Sequence, residues 1–142
     1  MVSREVVEKH LEDLATRVAR LRRFQGVSLE EFRSDWEKVY AAERALQTAI
    51  QNVIDIGAHI LADLGDSQWN EYRDIPERLF AHGVIPREEV PTLKAMIGMR
   101  NILVHQYVDV DVAKLHQAIR ERLADFDHFA QAIVRYLERA SR

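Results

Sequence analysis

Ten consecutive residues, Gly98-Met99-Arg100-Asn101-Ile102-Leu103-Val104-His105-Gln106-Tyr107, carry an Arg, an Asn, a His and a Tyr among apolar neighbours. Each brings a separate capability. A guanidinium presents a planar fork of N–H donors that grips phosphate oxygens in pairs. An imidazole titrates near neutral pH and passes a proton either way. A carboxamide can orient either of these groups, and a phenol places a hydroxyl at the tip of an apolar ring. Together they suit a ligand or catalytic site, without naming its chemistry. Singly, each has a structural account. Arg100 could be a buried cation paired with Glu43, His105 could answer the dipole at a helix C-terminus, and Tyr107 could be an amphipathic core residue. Four such residues crowded into eight positions favour a site over a packing surface.

The string Arg100-Asn101-x-Leu103-Val104-His105-x-Tyr107 resembles the signature of the HEPN superfamily, an Arg followed after four to six residues by a His. With Asn after the Arg and Tyr two past the His, it is similar to the HepT type in particular. The likeness extends to Glu43-Arg44-Ala45-Leu46-Gln47 and to Val53-Ile54-Asp55-Ile56-Gly57-Ala58-His59-Ile60, which look like the family's long second helix. The stretch from Asp111 to Arg142 is compatible with the family without being diagnostic.

The resemblance implies a metal-independent endoribonuclease, the toxin of a type VII-like toxin–antitoxin pair, acting on messenger or transfer RNA. It implies Arg100 and His105 as catalytic residues at a homodimer interface. From their place on the helices, Asn101 would orient or hydrogen-bond the phosphate or the imidazole, and Glu43, facing Arg100, would place the guanidinium. The resemblance implies further that a minimal nucleotidyltransferase (MNT) antitoxin adds AMP to Tyr107. Elementary geometry agrees with a shared cleft. Arg100 and His105 lie about 140° apart around one ideal helix, so a single copy does not converge both on one phosphate. A two-fold partner would bring a second pair across the seam. His105 would exchange a proton with the ribose 2′-hydroxyl or the leaving 5′-oxygen, and Arg100 would neutralise charge growing on the phosphate. The 2′-hydroxyl is a nucleophile already held beside phosphorus, so no metal is required. Two other readings stay open here: a HEPN module that binds nucleotides without cleaving them, and a structural partner of the nucleotidyltransferase.

The elements that must position these residues are helices throughout, because no segment keeps a strand's period of two. A first helix is expected from about Ser3 to Phe24, with Val7, Leu11, Leu14, Val18 and Leu21 on one face and Gly26 as a left-handed stop. Ser28, with Glu31 three residues on, reads as a capping box that opens a single long second helix. Its seam is Leu29, Phe32, Trp36, Val39, Glu43, Leu46, Ile50, Val53, Gly57, Ile60 and Leu64. Glu43 is out of place there and needs a partner, for which Arg100 is the candidate. Gly57 marks a close approach between helices. Gly65 to Arg73 reads as a polar loop, and Asp74-Ile75-Pro76-Glu77 as the start of a short helix that Gly83 stops. The motif helix runs from about Pro86 through Val90, Leu93 and Ile97 towards Tyr107. A last helix, starting near Asp109 or Asp111 and free of Gly and Pro, reaches about Arg139. The expectation is an all-α, HEPN-like, up-down bundle of four to five helices forming one domain over residues 1–142.

Bulk properties narrow the function. With 20 Lys and Arg against 23 Asp and Glu, the net charge of −3 excludes a strongly basic nucleic-acid binder, so RNA must be met by a local patch. Only four of the cations are Lys. No cysteine is present, which excludes disulfides and thiolate zinc sites. His82, His116 and His128 share no spacing with carboxylates that suggests a metal, and no cofactor is expected. The Arg17, Arg20, Arg22 and Arg23 cluster could guide RNA but reads first as a solvated face, and His59, with Asp55 four residues before it, could approach the cleft or be an ordinary packed or surface residue. The absence of an apolar membrane segment or secretory core leads to a cytoplasmic expectation.

Overall fold

The computed structural model describes residues 4–105 and 111–140 and, within that span, leaves out the side chains of Val104 and His105. Among the described residues there are seven α-helices and one 3-10 turn: α1 (Arg4–Arg22), α2 (Leu29–Arg33), α3 (Trp36–Asp63), the turn Tyr72–Asp74, α4 (Ile75–Ala81), α5 (Glu89–His105), α6 (Val112–Glu121) and α7 (Leu123–Ala140). The all-helical expectation holds. α3 is the central post, packed against α1, α2, α4 and α5. It runs antiparallel to α1, since His10 and Asp13 on α1 meet His59 and Asn52 on α3 in reverse order. The expected apolar face of α1 is found buried at Val7, Leu14, Val18 and Leu21. Fully burying a side chain of this kind contributes about 1.5–3 kcal/mol.

Two helices expected to be continuous are each divided. Ser28 caps α2 by accepting from the Glu31 N–H at 3.1 Å. The chain then breaks at Ser34 and Asp35. The Ser34 hydroxyl donates to the Glu31 carbonyl at 2.9 Å, and the Asp35 carboxylate accepts from the N–H groups of Glu37 and Lys38. These short side chains offer the backbone local bonds that outcompete a continued helix. The break turns Trp36 outwards, 55% exposed, although the seam placed it inside. The last helix divides at Arg122, whose φ of −118° and ψ of 1° leave the helical region. That single residue lets α6 lie on α2 while α7 packs on α1 and α5.

Of the three glycines given a part by the sequence, Gly57 and Gly83 take it and Gly26 does not. Gly65 and Gly83, at φ of 71° and 72°, close α3 and α4. Paired bonds from Asp66 N–H to Leu61 O and from Val84 N–H to Leu79 O, each 2.9 Å, complete both stops in the Schellman manner. Gly26 is not left-handed, and α1 unwinds instead through a run of turn hydrogen bonds from Arg23 to Val27. Gly57 is the close approach that its place on the seam suggested. A Cβ there would stand 2.7 Å from Ile75 Cγ2 on α4.

Candidate functional site

Arg100 to His105 ride on the last two turns of α5, whose buried residues Val90, Leu93, Ile97 and Leu103 fix them against the core. Arg100 is half-buried and meets α3 at Gln51, where its Nε donates to Oε1 at 3.1 Å. Gln51 is itself oriented. Its Nε2 donates to Asp55 Oδ1 at 2.9 Å, one helical turn further on, which leaves the amide oxygen to face the guanidinium. Arg100 Nη1 also reaches Asn101 Oδ1 at 3.5 Å, and Cζ stands 5.5 Å from the centroid of the Tyr72 ring. Two of five guanidinium N–H groups are thus engaged among the described residues. The others remain to take an anion, on a group whose plane is fixed from three sides.

Tyr72 is placed by its own local device. The Asp74 carboxylate accepts from the N–H groups of Asn70 and Glu71 at 3.1 and 3.0 Å, and these bonds hold its carboxyl below the usual range. Below this turn, Asp66 ties the loop to α4. It accepts from Gln68 N–H, from Arg78 Nε and from His82 Nε2 at 2.8 Å each, and the first of these does most to lower its carboxyl to about 2.

Glu43 does not pair with Arg100. The guanidinium meets α3 eight residues later, about 12 Å along the helix axis. Glu43 stays half-buried without an ion pair among the described residues, and desolvation alone raises its carboxyl above the ordinary value. Gln51, Asp55 and Tyr72 are the partners that sequence reading missed or left aside. Gln51 and Asp55 sit at four-residue spacing beside the apolar seam, which was the available signal. His105 is the last residue of α5, but its side chain lies outside what is described, and Tyr107 lies outside the described residues altogether.

Asn101 also lines a cleft of about 680 Å³ between α5, α6 and α7, floored by Leu46, Ile50 and Phe126 and edged by Lys94 and Lys114. Ile102, next to the motif Asn, is 49% exposed. The remaining histidines separate into roles. His116 is buried and donates from Nε2 to the Val27 carbonyl at 2.7 Å, tying α6 to the α1–α2 connection. His128 is exposed on α7. In the arginine cluster Arg17 pairs with Asp13 and Arg22 with Asp127, while Arg20 and Arg23 are exposed. No group of three potential metal ligands occurs among the described residues, and no helix there is long and apolar enough to cross a membrane.

The family described as ribonuclease HepT-like matches residues 5–133. A tRNA nuclease HepT of Aphanizomenon flos-aquae is 29% identical over 132 residues, covering 93% of this chain and 90% of its own. An mRNA nuclease HepT of Shewanella oneidensis is 30% identical over 105 residues, covering 72% and 77% respectively. Among solved structures, the tri-AMPylated Shewanella oneidensis HEPN toxin in complex with MNT antitoxin shares the fold with a TM-score of 0.83 at 22% identity, over 94% of this chain and 99% of that one. YutE of Bacillus subtilis, a cytosolic protein of unknown function, matches with a TM-score of 0.84 at 25% identity, over 98% and 93%.

Proposed function

The chain belongs to the ribonuclease HepT-like family, and on that footing we propose that it is a metal-independent endoribonuclease, the toxin partner of a nucleotidyltransferase antitoxin. The observation that carries this reading is the setting of Arg100. Its guanidinium is half-buried, held by Gln51, Asn101 and the Tyr72 face, and among the described residues keeps donors free on the helix that ends at His105. A cation fixed in this way is ready for charge that develops on a scissile phosphate.

In the proposed reaction Arg100 holds the phosphate, and His105 takes the 2′-hydroxyl proton or returns one to the leaving 5′-oxygen. Asn101 steadies the guanidinium. The site is completed by a second copy of the chain across a two-fold axis, in a homodimer or a higher even oligomer. Exposed Ile102 beside the motif supports this, because an apolar side chain there is suited to cover by a partner. The relatives carry names of tRNA and mRNA nucleases, and the RNA taken here belongs to one of those classes. AMP placed on Tyr107 by the cognate MNT antitoxin would set an anion beside Arg100 and fill the phosphate site. The protein acts in the cytoplasm.

Incubation of total RNA in EDTA with unmodified protein, Arg100→Ala and His105→Ala tests the reading. Cleavage by the parent alone is expected. Intact RNA in all three lanes, with mass spectrometry showing no AMP on the protein, would transfer support to a nucleotide-binding or structural role.

A further inference from the structure

Beside the Arg100 network, α3 carries a second polar assembly that the cleavage reaction does not use. Asn52 is buried, 5% exposed, and its side chain is engaged at both ends. Nδ2 donates to Asp13 Oδ2 at 2.7 Å, and Oδ1 faces His10 Nδ1 at 2.9 Å. A carboxylate only accepts, so the amide nitrogen must face Asp13 and its oxygen must face His10. His10 therefore donates through Nδ1–H, and Nε2 is the ring atom left over. Arg17 closes the far end of the relay, 3.4 Å from Asp13. The half-buried His10 ring lies beside that of exposed His59, with centroids 5.9 Å apart and planes tilted by 40°. Packing alone asks for none of this, since apolar residues would fill the seam between α1 and α3 without desolvating an amide and a carboxylate.

We propose that His10 and His59 form a ribonucleotide subsite that holds the RNA backbone beside the phosphate at Arg100. The inference rests on the ribonuclease reading and adds a binding site to it. With Nδ1–H turned to Asn52, His10 presents Nε2, whose lone pair accepts from a ribose 2′-hydroxyl. His59 presents a ring N–H, which donates to a phosphate oxygen. An acceptor and a donor side by side match a ribonucleotide, whereas a deoxynucleotide leaves the His10 acceptor unmatched. Placement agrees. Gln51, Asp55 and His59 follow one another at four-residue steps, so His59 lies about 12 Å along α3 and about 80° around it from the Arg100 contact. That span suits a short length of backbone rather than one phosphate. Of the carboxylates nearby, Asp55 is engaged by Gln51 and Asp13 by Asn52 and Arg17.

Equilibrium binding of fluorescein-labelled single-stranded RNA, and of DNA with the same sequence, tests the subsite. Fluorescence anisotropy in EDTA is measured with the full chain carrying His105→Ala, so that RNA survives, and with His59→Ala or His10→Phe added. Losing one hydrogen bond at about 1 kcal/mol should weaken RNA binding about fivefold in either variant; His10→Phe, which removes the 2′-hydroxyl acceptor, should leave DNA binding within twofold, whereas His59→Ala, which removes a phosphate donor, should weaken DNA binding as well. His59 is exposed, so His59→Ala decides the matter even where His10→Phe fails to fold. Undiminished RNA binding by folded His59→Ala, or equal weakening towards RNA and DNA by folded His10→Phe, overturns the subsite and leaves the ribonuclease reading standing. Absence of RNA binding by the His105→Ala parent overturns that reading and the subsite with it.

Discussion

Exchanging Gln51 for leucine removes the acceptor 3.1 Å from Arg100 Nε and the amide that donates to Asp55, while keeping a side chain of similar volume on α3. A hydrogen bond to a charged group is worth about 1.5–3 kcal/mol. Arg100 is half-buried, so water recovers part of this, leaving about 1 kcal/mol that orients the guanidinium. If that orientation acts on the transition state, kcat/KM falls about fivefold. Arg100→Ala removes the phosphate ligand itself and should cost about 100-fold or more. Gln51 acts only through Arg100, so Q51L added to Arg100→Ala should cost nothing further. Initial rates on a fluorogenic RNA oligonucleotide for the parent, both single variants and the double variant measure this coupling. A fivefold loss in both backgrounds, or an unchanged rate in Q51L alone, would refute the claim that Gln51 holds Arg100 for chemistry.

Three further outcomes follow from the packing and the charges. Gly57→Ala drives a Cβ to 2.7 Å from Ile75 Cγ2 and 3.3 Å from Leu79 Cδ1. The overpacking, about 1–3 kcal/mol, should exceed the gain of about 1 kcal/mol in helix propensity, so the urea midpoint should fall; an equal or higher midpoint contradicts the close approach. Asp66 has its carboxyl lowered to about 2, chiefly by the Gln68 N–H and then by His82 and Arg78. Its contribution is present above the ordinary carboxylate value and lost as pH falls through about 2, so Asp66→Asn should flatten melting temperature against pH over that acid range, and parallel profiles would dismiss the clasp. Glu43 has the opposite sign, because burial raises its carboxyl and folding then opposes its ionisation above the raised value. Glu43→Gln should therefore be at least as stable as the parent at pH 7 and cleave RNA at the parental rate; a large loss of activity would restore a link to Arg100.

Periodicity made the apolar faces legible, because burial repeats with the helix turn. Val7, Leu14, Val18 and Leu21 on α1, and Leu46, Ile50, Val53 and Ile60 on α3, are buried as their spacing requires. Gly57 was legible for the same reason, as a missing side chain in an apolar column. The break at Asp35 was written in residues that compete for backbone N–H groups, but the apolar repeat runs across it and hides it. The break at Arg122 carries no Gly or Pro and arises from the different partners of α6 and α7. Pairing across helices depends on axial offset, which a single helix's repeat does not encode. Glu43 and Gln51 are two turns apart on α3, and only packing decides that Arg100 arrives at Gln51. Tyr72 reaches Arg100 from a loop whose shape Asp74 sets, a relation with no period at all.

The most direct measurement of the central claim is the chemistry of the cut ends. A defined RNA incubated with unmodified protein in EDTA should yield fragments ending in a 2′,3′-cyclic phosphate or its hydrolysis product, with 5′-hydroxyl termini opposite. Neither Arg100→Ala nor His105→Ala should produce them, and replacing the 2′-hydroxyl at the cleavage position by hydrogen should protect that position. Cleavage that persists in His105→Ala, or that proceeds at a 2′-deoxy position, would contradict an Arg100–His105 site acting through the ribose hydroxyl.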